Sequence, residues 1–411
     1  MIQQRRAVGL IVVAQWLGTS LWFSPNSAAD DLMLAWQIGS AQFAWLIAAT
    51  QTGFIAGTLW LAYSGWADRF STSRIFAMAC IAGAAINFVF SSSSMGYESG
   101  LVLRFAVGVC LAGIYPLGMK MVVGWVGIKS GSALSLLVGM LTLGTALPHG
   151  VRALGANLPW HSVIQVSSAL ALVGAALVYF LGDGPHLARS QGPNGGSIRR
   201  ALGVFKIPDF RAAALGYFGH MWELYAFWAV LPWLAAQWLV DAQHMQLNWP
   251  GSVAAISFFG IAAGFMGCLL GGRLSLKIDS AYIAAAALLA SGVCCLIYPL
   301  LGPDQLLLRL LVLLAWGFFV VADSPQFSAI SARSCPPQWV GSALAIQNSA
   351  GFLITVVSIT LLLSVVDALG SKAVWLLLPG PIFGLLAMRP LLKKLRCNIK
   401  NRDGHRETNT R

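Results

Sequence analysis

Glu223 lies in Gly216-Tyr-Phe-Gly-His-Met-Trp-Glu-Leu-Tyr-Ala-Phe-Trp228, a segment otherwise long and apolar enough to cross a membrane. Counted from Arg211, the carboxylate lies 12 residues in. That is about 18 Å along a helix at ~1.5 Å per residue, near the middle of a hydrocarbon layer about 30 Å thick. Burial disfavours the charged form, so a carboxyl at that depth can load and release a proton near neutral pH. The other reading is a carboxylate permanently paired with an arginine or bonded to His220. His220 stands three residues earlier on the same helical face, bracketed with Glu223 by Tyr217 and Tyr225. It is either a group that tunes Glu223 or relays its proton, or a packing histidine. Asp323, in Val320-Val-Ala-Asp-Ser-Pro325, lies ten residues before Arg333. It is a second candidate for proton or cation coupling, with a salt bridge to Lys120 or another inner base as the structural alternative, and Pro325 loosens the helix beside it.

Arg104 and Arg309 stand a turn or two inside the far ends of two other apolar segments. Facing a shared cavity, two guanidiniums can clamp a carboxylate or similar anion bidentately; snorkelling to headgroups is the equal alternative. Snorkelling is the better reading for Arg152, which follows His149 by three residues. Gln51, between Thr50 and Thr52, and Asn348, after Gln347, are cavity-lining candidates that interhelical hydrogen bonds explain as readily. Among 16 tryptophans, Trp16, Trp22, Trp222 and Trp228 are candidates for solute contact, and interface anchoring accounts for most of the rest.

The elements that must hold these residues follow from composition. Of 411 residues 57% are hydrophobic and 10% charged, with mean hydropathy +0.73, which excludes a soluble globular core and indicates an all-α polytopic membrane protein. The seven cysteines show neither CxxC nor His-Cys spacing, so neither a disulfide framework nor a metal site is expected. The six histidines are scattered and no nucleophile–base pair is legible, so the chain is not expected to be an enzyme or to need a cofactor. With no long polar segment to serve as an output domain, a sensor is disfavoured as well.

Apolar runs long enough to span occur near 7–29, 41–64, 75–95, 99–122, 131–153 and 162–182, then near 211–235, 251–272, 280–300, 306–329, 341–364 and 371–391. Twelve spans in two sixes are predicted, the first retained rather than cleaved. The halves are 1–182 and 210–392, joined by a loop at 183–209 and followed by a polar tail at 393–411 expected to be disordered from about Cys397. Twelve spans bring both termini to one side, and 22 of the 26 Lys and Arg residues fall in the loops and termini of that side. By the positive-inside rule both termini are cytoplasmic, and the net charge of +12 is an orientation signal rather than a nucleic-acid footprint. The halves also echo each other. Gly131-Ser-Ala-Leu134 and Gly341-Ser-Ala-Leu344 open spans five and eleven after Trp125 and Trp339; spans four and ten share Arg104 with Pro116 and Arg309 with Pro325.

The loop Ser64-Gly-Trp-Ala-Asp-Arg-Phe-Ser-Thr-Ser-Arg74 resembles the G-x-L-A-D-R-x-G-R-R-R loop of the major facilitator superfamily. Ser64 and Ser71 replace its glycines, and Thr72 and Ser73 replace basic positions. Gly271-Gly-Arg-Leu-Ser-Leu-Lys277 is its C-terminal counterpart without the aspartate, and Arg104-Phe-Ala-Val-Gly108 resembles the family's R-x-x-x-G element. The resemblance implies two six-helix halves around a central cavity, alternating access, and a gating role for Asp68, Arg69 and Arg74, which topology alone would also explain. The span-five Gly-Pro element common in the superfamily's antiporters is absent from Gly139–Gly150. The expected activity is therefore proton-coupled movement of a small organic solute, an anion slightly favoured, with drug or metabolite efflux by antiport as the alternative. The expected partners are the solute, protons and the lipid bilayer, with no nucleic acid; a monomer in a bacterial inner membrane is expected.

Overall fold

A computed structural model describes residues 2–64, 66–92, 96–126, 131–154, 158–187, 202–247, 251–336 and 340–408. Trp339 and most of the central loop lie outside the described residues, as do the side chains of Asp68, of Gly131–Leu134 and of Gly341 and Ser342. No strand occurs among the described residues. In chain order the α-helices are α1 Ile2–Thr19, α2 Ala29–Trp36, α3 Ser40–Ser64, α4 Trp66–Arg69, α5 Thr72–Phe90, α6 Tyr97–Ala112, α7 Tyr115–Val126 and α8 Gly131–Leu154. There follow α9 Trp160–Leu181, α10 Pro208–His244, α11 Val253–Leu274, α12 Ser280–Ile297, α13 Leu306–Ala322, α14 Ser324–Arg333, α15 Val340–Leu369 and α16 Pro379–Thr408.

Among the apolar runs predicted as single spans, those at 7–29, 99–122 and 306–329 are broken beside a proline. After α1, the hydroxyls of Thr19 and Ser20 bond back to the carbonyls of Gln15 (2.8 Å) and Leu17 (2.7 Å). Pro25, lacking an N–H, then opens a 3-10 turn at Pro25–Ala28. The α6–α7 break falls at Gly113-Ile114, two residues before Pro116, and the α13–α14 break falls at Asp323, two before Pro325. Helix α16 extends to Thr408, past the Cys397 from which a disordered tail was expected.

Eight stretches of the described residues are long and apolar enough to cross a membrane: Ser40–Leu61, Thr72–Phe90, Tyr97–Trp125, Trp160–Leu181, Val253–Leu274, Ser280–Leu300, Leu306–Arg333 and Ala343–Cys397. Their large apolar side chains turn outward, as with Phe88 on α5, Phe180 on α9, Leu296 on α12 and Ile382 on α16. Such a surface suits lipid rather than water. Helices α1, α8 and α10 are absent from that set and carry much of the buried polar material: Gln15 and Thr19, Thr142 and His149, His220 and Glu223.

Helices before residue 182 pack mainly on one another, α3 on α6, α5 on α9 and α1 on α8 and α9. Those after 208 do likewise, α10 on α15 and α16, and α13 on α11 and α12. The two sets meet through α3 against α15 and α8 against α11. Within each set glycine draws helices together. A Cβ on Gly108 of α6 would lie 2.1 Å from the Thr50 carbonyl oxygen of α3, and one on Gly317 of α13 would lie 1.8 Å from that of Gly260 on α11. Only glycine permits either approach.

Candidate solute and proton site

Glu223 is fully buried on α10 and accepts hydrogen bonds from Ser291 Oγ of α12 (2.8 Å) and Trp316 Nε1 of α13 (2.7 Å). Both donors are neutral, and among the described residues no cation pairs with this carboxylate. A charged carboxylate removed from water without a counter-charge costs several kcal/mol, which two neutral hydrogen bonds only partly offset. The arrangement suits a group that is protonated for part of its working life.

His220 is turned to a different acid. Its Nδ1 lies 2.7 Å from Oδ1 of Asp323, which stands at the α13–α14 break, and both side chains are buried. The break is what positions Asp323, since Pro325 occupies the first turn of α14 and prevents α13 from continuing through. The His220 ring packs 6.0 Å from that of Phe327 and 5.8 Å from that of Tyr217. Tyr217 in turn lies on Gly351 of α15, where a Cβ would come within 2.6 Å of the tyrosine ring. Two carboxylates thus sit between α10 and the α13–α14 segment. The imidazole sits beside Asp323 rather than Glu223, and Asp323 takes a histidine partner where Lys120 was the sequence alternative.

The two arginines serve separate helices. Arg104 donates from Nε to Thr50 Oγ1 (3.1 Å), from Nη1 to Asn87 Oδ1 (3.0 Å), and from Nη2 to the carbonyls of Leu21 (3.1 Å) and Trp22 (2.7 Å). Asn87 also accepts from Ser24 Oγ and donates to the Ile164 carbonyl and Ser168 Oγ. The guanidinium therefore caps the carbonyls freed where α1 breaks and ties that break to α3, α5 and α6. Arg309 is ion-paired with Asp241 of α10 and lies over the ring of Tyr298 at 5.6 Å. The structure does not bring these guanidiniums together as a clamp, because each is engaged by its own set of helices.

Trp222 also points outward from the centre, its Nε1 donating to the Leu376 carbonyl ahead of α16 (2.8 Å). Gln51 of α3 is fully buried, and neither amide atom has a partner among the described residues. Asn348 of α15 is half-buried. Arg69 and Arg74 are exposed and line a cavity of about 760 Å³ with Trp66, Phe70, Tyr179 and Asp183. Asp183 Oδ1 accepts from the backbone N–H of Ser73 at the start of α5 (2.8 Å). The matching end of α12 is capped by Asp279, which accepts from Ala281 N–H (2.9 Å) and from Arg333 (2.7 Å). Partial burial pushes the Asp279 carboxyl up, but Arg333 and the backbone amide outweigh it and hold the group below the usual carboxylate range.

At the centre the two sets of helices touch through aromatic rings, and Phe54 and Phe352 are members that the sequence reading passed over. Trp22, in the break after α1, stacks on Phe352 of α15 (centroids 5.5 Å apart, 25° between planes) and lies 5.8 Å from Tyr225 of α10. Phe54 of α3 lies 4.4 Å from Phe352. Helical spacing was the available signal: Phe54 follows Gln51 by three residues and Phe352 follows Asn348 by four. Beyond this layer, a cavity of about 280 Å³ opens between the two sets, lined by Asn26, Asp31, His149, Arg152, Pro232 and Ser252 among others. Arg152, paired with Asp31 of α2, closes its rim.

The family profile described as Major Facilitator Superfamily matches residues 9–359. The chain belongs to the major facilitator superfamily. It is therefore an integral membrane protein of a secondary-transporter family. A crystal structure of the nucleoside transporter NupG has the same fold, with a TM-score of 0.72 over 94% of this facilitator and 99% of that chain at 12% sequence identity. No curated protein sequence matches the chain. In a facilitator, the contacts of α3 with α15 and of α8 with α11 are where relative movement of two helix sets would be felt, and the aromatic layer lies at the first of them.

Proposed function

We propose that this protein is a proton-coupled secondary transporter of a small organic solute, with twelve spans in two six-helix halves, 1–182 and 210–392, that alternate in exposing a central site. Both termini are cytoplasmic in this reading, which the distribution of Lys and Arg supports, and the membrane is a bacterial inner membrane. The chain acts as a monomer and needs no cofactor. Glu223 carries the coupling proton. The observation behind this is a fully buried carboxylate held, among the described residues, by Ser291 and Trp316 alone, since permanent ionisation would leave it without a counter-ion among them. His220, one turn from Glu223 on α10, and Asp323 at the α13–α14 break form a second candidate pair. Tyr217 and Asn348 border the central site, and Trp222, Arg104 and Arg309 hold the helices around it. Asp68, Arg69 and Arg74 gate the cytoplasmic end.

The test is solute-driven proton movement in proteoliposomes, followed with a pH-sensitive dye in the lumen while pools of neutral solutes, organic acids and amphipathic cations are added outside. Symport is expected to acidify the lumen with the native chain and to give no change with Glu223→Gln, while solute binding is retained. Lumen alkalinisation would indicate antiport, the reading for an exporter. Equal proton movement by native and variant chains would remove Glu223 from the mechanism and leave His220 and Asp323.

A further inference from the structure

The aromatic layer lies on the boundary between the two helix sets. Trp22 and Phe54 come from before residue 182, and Tyr225 and Phe352 from after 208. If the sets part in each cycle, these ring contacts must open, and an aromatic pair contributes roughly 0.5–1.5 kcal/mol beyond its buried area. A planar solute entering between the rings would restore that contact on both of its faces.

The polar groups beside the rings define the rest of the solute. Gln51 occupies the same face of α3 as Phe54, and its amide oxygen and nitrogen are both buried without a partner among the described residues. The Trp22 indole Nε1 is likewise buried and unpartnered. Leaving such groups desolvated costs about 1–3 kcal/mol each. An amide side chain presents one acceptor beside two donors, which matches a molecular edge carrying an N–H next to a C=O or ring nitrogen. The charged groups nearest the rings are already committed. Glu223 is turned to Ser291 and Trp316, and four N–H groups of Arg104 are already engaged. Among the described residues, no guanidinium fork beside the rings is left free to grip a carboxylate or phosphate.

We infer that the transported solute is a neutral, planar heteroaromatic molecule of the nucleobase or nucleoside type, its ring held between Trp22 and Phe352 and its polar edge on the Gln51 amide. This rests on the transporter reading above and replaces the anion preference with a neutral solute. Binding to the full-length chain in detergent micelles, measured by calorimetry, tests it with adenosine, uridine, uracil and hypoxanthine against adenosine monophosphate, benzoate and ribose. At least one neutral base or nucleoside is expected to bind and quench tryptophan fluorescence, with its phosphate ester and benzoate at least tenfold weaker and ribose silent. Gln51→Leu should weaken that binding about tenfold, equivalent to about 1.4 kcal/mol, without lowering the melting temperature. Gln51→Met, closer in shape, guards against a misfolded variant. Binding of benzoate or the phosphate ester as tight as that of the neutral compounds overturns the assignment, as does affinity unchanged in both Gln51 variants. If an organic acid drives proton movement while none of the four neutral compounds binds, this assignment falls and the transporter reading stands. If a neutral compound binds through Gln51 but no solute moves protons, the assignment stands and proton coupling falls.

Discussion

Arg104 gathers Leu21, Trp22, Thr50 and Asn87 around one guanidinium, and with it the geometry of the broken segment that carries Trp22. Lysine keeps the charge but has no planar fork to reach four acceptors on three different elements. Arg104→Lys is therefore expected to lower the melting temperature in detergent, at about 1–3 kcal/mol for each buried acceptor left unpaired, whether solute is present or not. Anion recognition would give the reverse pattern, a normal melting temperature with lost binding, so scanning fluorimetry beside calorimetry separates the two. Residue identity and depth made Glu223, Asp323 and Arg104 legible in the sequence, because an ionisable group in an apolar run stands out whatever its neighbours are. Their partners were not legible. Whether Glu223 meets His220 or Ser291 depends on how α10 is rotated against α12 and α13, and a spacing of three residues only says that two side chains leave a helix on the same side.

At the scale of elements, the near-contact of α11 with α13 depends on Gly317 having no side chain. Gly317→Val places its branch against the Gly260 backbone, which cannot move aside as a side chain can. The helices must separate, and a loss of at least 1–3 kcal/mol is expected, read as a lower melting temperature or loss of folded protein from the membrane fraction. Gly9→Ala is the control. Nothing lies within 4 Å of a Cβ there, and replacing a helical glycine is expected to be neutral or stabilising by up to about 1 kcal/mol. Eight stretches of the described residues could be read from hydropathy alone, because they satisfy length and composition by themselves, whereas α1, α8 and α10 do not. The breaks were harder to see. Pro25, Pro116 and Pro325 mark them, yet proline also sits inside continuous helices here, as Pro148 in α8 and Pro232 in α10 show. What distinguishes the first three is a companion: hydroxyls that bond back after α1, Gly113 before α7, and an aspartate held by histidine before α14.

For the whole molecule, orientation is the property most directly open to measurement. Cys397 is exposed on α16, whereas Cys80, Cys268, Cys295 and Cys335 are buried. A membrane-impermeant maleimide is expected to spare Cys397 in intact cells and to label it in inside-out vesicles. Leu34→Cys, at an exposed site on α2, should label in intact cells when Cys397 is replaced by serine. The opposite pattern would invert the topology drawn from the basic loops. Orientation bears on the setting of Glu223 between a hydroxyl and an indole. With no cation beside it among the described residues, the protein interior would gain one negative charge if that carboxyl carries the coupling proton, as proposed, and gives it up. A carrier that brings in a neutral solute with this proton crosses uncharged when loaded and charged when empty, so the membrane voltage acts on the return journey. A negative interior drives that charge outward with up to about 2.3 kcal/mol per 100 mV, making the resting potential itself a source of solute accumulation.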